Sequence, residues 1–134
     1  ERHYEVTEVN EMLQGMERFA GIFVCTTNLF EDLDEAALRR FTFKIRFQPL
    51  TAEQRERMFV AEALGGDAAR LSDEQRQRLA QLDRLVPGDF AAVQRQVEIL
   101  ATAFEPDEFL AQLESEHRVK PDVRQRRGMG FVKA

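Results

Sequence analysis

With 134 residues, 43% hydrophobic and 32% charged, the chain has room for one domain, or for part of one and a small second. Its 24 acidic residues against 19 lysines and arginines leave a net charge of −5, which argues against nucleic-acid binding by the chain as a whole. No apolar run reaches the length of a membrane span, no signal peptide opens the sequence, and single Cys25 excludes an internal disulfide; the composition fits a cytoplasmic protein.

The apolar positions Val6, Val9, Met12, Leu13 and Met16 recur at three- and four-residue steps, which predicts an amphipathic helix over 7–17. Gly15 and Gly21 punctuate the turn that follows. The run Ile22-Phe23-Val24-Cys25-Thr26-Thr27 is continuously apolar or β-branched, as in a strand covered on both faces. Asn28 ends it. Glu31, Asp32, Asp34 and Glu35 then put negative charge at the start of a short helix that Arg39 and Arg40 close, the polarity that suits a helix dipole. Phe41 to Phe47 alternates strictly between apolar and polar, which predicts a strand with one wet face, and its Lys44 and Arg46 suit a sheet edge. Taken alone, Gly21 to Phe47 is expected to present unpaired edges and to self-associate or stay mobile.

Gln48-Pro49 interrupts the pattern and sets the expected domain boundary, with residues 1–48 before it and a helical domain over 49–118 after it. Thr51 with Gln54, and Ser72 with Gln75, are capping-box signatures. The first opens a helix carrying Met58, Phe59, Ala61 and Leu64 up to a Gly65-Gly66 stop; the second places Leu79, Leu82 and Leu85 on one stripe. Pro87-Gly88-Asp89 starts a third helix, with Asp89 as its N-cap and Phe90, Val93, Val97, Leu100 and Phe104 in helical period. Pro106 starts a fourth, with Phe109, Leu110 and Leu113 apolar. Four short helices make a small bundle. A basic extension, 119–134, closes the chain: from His117 onward Arg118, Lys120, Arg124, Arg126, Arg127 and Lys133 face Asp122 alone. That tail is expected to be a loose solvated extension.

The apolar run ending Thr26-Thr27-Asn28, followed by Leu33-Asp34-Glu35-Ala36-Ala37-Leu38-Arg39-Arg40-Phe41, resembles the second half of the nucleotide-binding domain of AAA-family ATPases. Residues 6–17 resemble the helix after the Walker B strand, and Pro87-Gly88-Asp89-Phe90 resembles the sensor 2 region of the lid. The resemblance spans roughly Val6 to Leu100 and lies in the order and spacing of motifs that are each weak alone. It departs from the family where Arg39 and Arg40 stand adjacent, without the usual Pro-Gly between them, and where Ala91 occupies the register of the sensor 2 arginine. The fold it implies is α/β followed by all-α: the end of a P-loop nucleotide domain, then a four-helix lid. No G-x-x-x-x-G-K-[ST] loop and no apolar run ending Asp-Glu occurs, so the phosphate loop and the Mg2+ ligands are expected upstream of Glu1 and this chain alone is expected to be inactive.

In the parent ATPase so implied, Asn28 orients the attacking water; its other reading is a turn residue ending a strand. Arg39 or Arg40, with Arg40 favoured beside Phe41, supplies paired donors in trans to the charge that spreads over the transferring phosphoryl group; the other reading is a helix-end ion pair with Glu31 or Asp34. Gly88 and Asp89 lie toward the nucleotide in the lid. The cofactor is ATP with Mg2+, and the partners are further copies in a ring, six by the habit of the family, and a protein substrate. His3 and His117 have no partner at metal-ligand spacing, so no metal site is read. Two other functions compete: a non-catalytic adaptor built from a degenerate ATPase, and a nucleic-acid-associated ATPase that uses the basic tail.

Overall fold

A computed structural model describes residues 2–28 and 30–121. Six helices follow one another: α1 (Arg2–Glu17), α2 (Glu35–Leu38), α3 (Ala52–Ala63), α4 (Asp73–Ala80), α5 (Pro87–Leu100) and α6 (Pro106–Arg118), with 3-10 turns at Phe30–Asp32 and Ala68–Arg70. The chain divides between Arg46 and Phe47 into two units.

The expected α/β architecture is not found. Among the described residues there is no strand, and neither 22–27 nor 41–47 is helical or paired in a ladder. A strand is held by hydrogen bonds to a neighbouring strand; alternation tells which face is apolar but supplies no neighbour. Most apolar positions of the two runs consequently face water, with Ile22 90%, Phe43 83% and Phe47 91% exposed, while Phe41 is half-buried. Cys25, expected inside a covered strand, is exposed for the same reason.

In the first unit, α1 starts at Arg2 rather than Thr7. Residues 2–6 contain neither Gly nor Pro, so nothing stops the helix from running back beyond its apolar stripe. Val6 and Val9 of that stripe are outside the described side chains, while Leu13 is 1% exposed and, with Ala37, forms a small buried centre. Asp34 caps α2 by accepting from the Ala36 N–H at 3.2 Å. Arg46 holds the run after α2 by an ion pair to Glu31 (2.9 Å) and by lying over the Phe30 ring at 5.2 Å.

The second unit is the bundle that the helical pattern calls for. Both capping boxes form: Thr51 Oγ1 accepts from the Gln54 N–H (3.2 Å) while Gln54 Oε1 accepts from the Thr51 N–H (2.9 Å), and Ser72 and Gln75 exchange the same two bonds at 3.1 Å each. Each pair satisfies N–H groups that a helix start leaves without partners. Beyond α3, Gly65 (φ 65°) and Gly66 (φ 83°) are left-handed, and the Gly66 N–H returns to the Val60 carbonyl at 2.9 Å. A side chain there would be strained, which is why two glycines stop this helix. α4 ends at Ala80, so Leu82 and Leu85 are not on its stripe but in the following loop, both buried. α5 ends where Ala101 turns left-handed (φ 51°); Leu100 is therefore 60% exposed, and Phe104 lies past the helix end.

α3 packs against α4, α5 and α6, and α6 also packs against α4 and α5. Phe109 of α6 meets the edge of Phe59 from α3 (centroids 6.2 Å apart, 66° between planes) and lies 6.4 Å from Phe90 of α5. Leu79, Leu85, Val93, Leu110 and Leu113, each at most 1% exposed, complete this centre. Among the described residues of the unit one cation is buried. Arg55, 5% exposed, donates from Nη1 to the Leu50 carbonyl (3.0 Å) and from Nη2 to the Ala80 carbonyl (3.4 Å) at the end of α4, where cationic donors are favoured. Its Nε has no hydrogen-bond partner among the described residues.

Between α4 and α6, Arg78 clasps Glu114 with two bonds, Nε to Oε1 at 2.8 Å and Nη2 to Oε2 at 3.0 Å. The hydrogen bond from Arg78 holds the Glu114 carboxyl below its usual range, and the same bond raises Arg78. A lowered folded value makes the clasp a stabilising contribution that is complete above the ordinary glutamate value of 4.5 and is lost as the pH falls through the folded value. Urea unfolding at pH 7 and at pH 3 should therefore show a loss on acidification that shrinks by about 1 kcal/mol in Glu114→Gln. An unchanged acid loss in that variant would remove the clasp from the account.

Candidate functional site

The five residues singled out by sequence fall in both units. Asn28, Arg39 and Arg40 belong to the first, Gly88 and Asp89 to the second.

Asn28 follows the non-helical run 22–27, which lies in no strand, and is exposed. Two residues before it, Thr26 and Thr27 line a hollow of about 170 Å³ together with Met12, Leu13, Cys25, Leu33, Ala37 and Phe41. Its lining is apolar apart from the two threonines and the thiol, so it offers no charge to a phosphate.

Arg39 and Arg40 stand at the end of α2, and each has an acidic neighbour. Arg39 Nη2 reaches Glu35 Oε1 at 2.9 Å, one turn back on the same helix, with both side chains mostly exposed. Arg40 Nε reaches Glu17 Oε1 at 3.2 Å, and its side chain is 35% exposed. These acids are not Glu31 or Asp34: Glu31 is taken by Arg46, and Asp34 is the α2 cap. Exposed pairs of this kind are worth ~0–1 kcal/mol, so both guanidiniums could leave them at little cost for a stronger anion.

Gly88 and Asp89 open α5. Asp89 is not the N-cap. Val86 holds that position, and Asp89 reaches back from the third helical residue to accept from the Val86 N–H at 2.8 Å. The same Oδ2 receives Lys120 Nζ at 2.6 Å, and Asp89 is 8% exposed. Gly88 is exposed, and a Cβ added to it would meet nothing nearer than Val86 Cγ2 at 4.0 Å.

Lys120 opens onto a polar cluster that spacing could not disclose. Arg84 Nη1 donates to the Lys120 carbonyl at 2.9 Å, and Arg84 Nε and Asp83 Oδ1 lie 3.3 and 3.2 Å from His117 Nε2. His117 has no metal-ligand partner in sequence, and its neighbours come from a loop more than thirty positions away. A second hollow, of about 400 Å³, lies between α3 and the turns after it, over Val60, Ala61 and Leu71 with Glu56 and Arg76 at its rim. It contains none of the five residues.

Among the described residues no three His, Cys, Asp or Glu side chains converge on a possible metal position. No described group fits Mg2+, and no step through the ion is assigned to this chain. Nor is any described helix long and apolar enough to cross a membrane. The basic residues 124–133 lie outside the described residues. Comparison with protein-family models, with curated proteins and with solved structures finds no match to this chain.

The Asp89 geometry yields a stability test. Asp89→Ala deletes the acceptor for Val86 and strands the Lys120 ammonium, and should cost about 1–2 kcal/mol in urea unfolding. Gly88→Ala should change stability by less than about 0.5 kcal/mol, the scale of a substitution that touches nothing. Equal effects in the two variants would dismiss Asp89 as the anchor of this helix start.

Proposed function

We propose that the chain is part of a cytoplasmic AAA-type ATPase that couples hydrolysis of Mg2+-bound ATP to the remodelling of a protein partner, as a ring of identical subunits. The four-helix unit serves as the lid over the nucleotide, α5 presenting Gly88 and Asp89. Asn28 orients the attacking water, and Arg40 or Arg39 acts on the nucleotide of the neighbouring subunit. The observation that carries this reading is the helical unit itself: four helices follow Gln48-Pro49, and the third of them begins at the Pro87-Gly88-Asp89 turn on which the resemblance to the lid rests. The arginines support it as well: among the described residues their ion-pair partners are exposed acids that a phosphoryl group would outcompete. Phosphoryl transfer needs positioning and charge stabilisation rather than covalent help, so donors of this kind suffice. The phosphate loop and the magnesium ligands are not among these residues, so in this reading the chain works only as part of its parent.

The ion pairs also favour a second reading, in which both arginines are helix-end charges and the chain is a non-catalytic assembly module. ATP turnover by the parent ring, with ATP binding measured alongside, separates the two. Substitution of the finger arginine, Arg40→Ala or Arg39→Ala, should lower turnover by about 10³–10⁵-fold with binding retained. A native ring that binds but never turns over would establish the assembly module. Equal turnover in native protein and both variants would remove the arginines from the chemistry.

A further inference from the structure

We propose that His117 is a proton-operated selector at the end of α6, exchanging Arg84 for Asp83 as the partner of its Nε2. The ring nitrogen lies 3.3 Å from Arg84 Nε and 3.2 Å from Asp83 Oδ1. A guanidinium N–H can only donate and a carboxylate can only accept, so the two partners demand opposite states of one nitrogen. Without a proton, Nε2 accepts from Arg84 and turns its lone pair toward Asp83. With one, it donates to Asp83 and turns an N–H toward Arg84. Asp83, 76% exposed and 3.9 Å from Arg84 Nε, turns to water when the ring holds no proton, whereas Arg84, 26% exposed, has less water to turn to when the ring holds one.

The selection does not end at the ring. Arg84 also donates from Nη1 to the Lys120 carbonyl at 2.9 Å, and the Lys120 N–H returns to the His117 carbonyl at 3.2 Å. The Lys120 ammonium holds Asp89, which in turn caps Val86. A guanidinium displaced from His117 thus loosens its hold on the end of α6 and, through Lys120, on the start of α5. The charged groups around the ring come from three places: Asp83 and Arg84 from the loop between α4 and α5, Asp89 from α5 by way of Lys120, and Glu114, Glu116 and Arg118 from α6. Of these described acids, Glu114 is clasped by Arg78, Glu116 accepts from Gln96 at 3.3 Å and Asp89 holds Lys120, which leaves Asp83 to accept from the protonated ring. Histidine is the side chain suited to such a selection, because its ring nitrogen changes from acceptor to donor on gaining a proton.

The test is nitrogen NMR of the intact chain from pH 8 to pH 5, reading the His117 ring nitrogens and the exchange protection of Arg84 Nε–H. The only other histidine is His3, and His117→Gln identifies the signals. At pH 8 the ring proton should sit on Nδ1, with Arg84 Nε–H protected. On acidification that protection should fall roughly tenfold, the scale of one net hydrogen bond, in step with ring protonation. In His117→Gln, whose amide oxygen accepts at every pH, protection should not vary. A ring proton on Nε2 at pH 8, or Arg84 protection that does not follow the imidazole, would overturn the proposal.

Discussion

Phe109 is the contact on which the described structure most depends. It brings α6 against Phe59 of α3 and near Phe90 of α5, so three of the four helices of the second unit converge on one ring. Large buried aromatics contribute more to a small core than any other residue type, and edge-on pairs add to that. Around this centre the polar groups follow. Arg78 can clasp Glu114 only because α4 and α6 are both seated on it, and Arg55 reaches the Leu50 and Ala80 carbonyls because α3 lies against the end of α4. The first unit has nothing comparable: its buried side chains, among the described residues, are Leu13 and Ala37.

The second unit was legible because its signals are local. A Thr or Ser three residues before a Gln makes its own capping box without outside help, and two consecutive glycines can stop a helix wherever they stand. The stripe on α5 was read too far, since Ala101, a residue with no preference for a left-handed backbone, ends the helix before Phe104. Nothing in composition marks that position. The strands were misread for the opposite reason. The alternation over 41–47 is real, but a strand is a property of two segments, and no neighbour is present among the described residues.

The candidate site was legible to a similar degree. Positions near helix ends could be named, and Arg39, Arg40 and Asp89 do stand at such ends. The ionic partners of Arg40 and Asp89 could not, because Glu17 and Lys120 lie more than twenty positions away, whereas Arg39 pairs with Glu35 one turn back. His117 illustrates the limit most sharply. Read alone it had no role; its neighbours Asp83 and Arg84 become visible only once α6 has returned along the bundle. Of the functional assignments, those at Arg39 and Arg40 rest on a resemblance together with weak exposed ion pairs, whereas the polar network at the end of α6 rests on geometry alone.

The central claim is that residues 50–118 form a self-sufficient unit around Phe109, while the runs 22–27 and 41–47 belong to no strand ladder. Native-state hydrogen exchange along the whole chain tests it most directly. The account predicts that core amides of α3, α5 and α6 exchange only through one shared global opening, and that amides of 22–26 and 42–47 exchange with little protection. Equal protection in both sets would contradict it, because the two runs would then be hydrogen-bonded where the structure gives them no ladder.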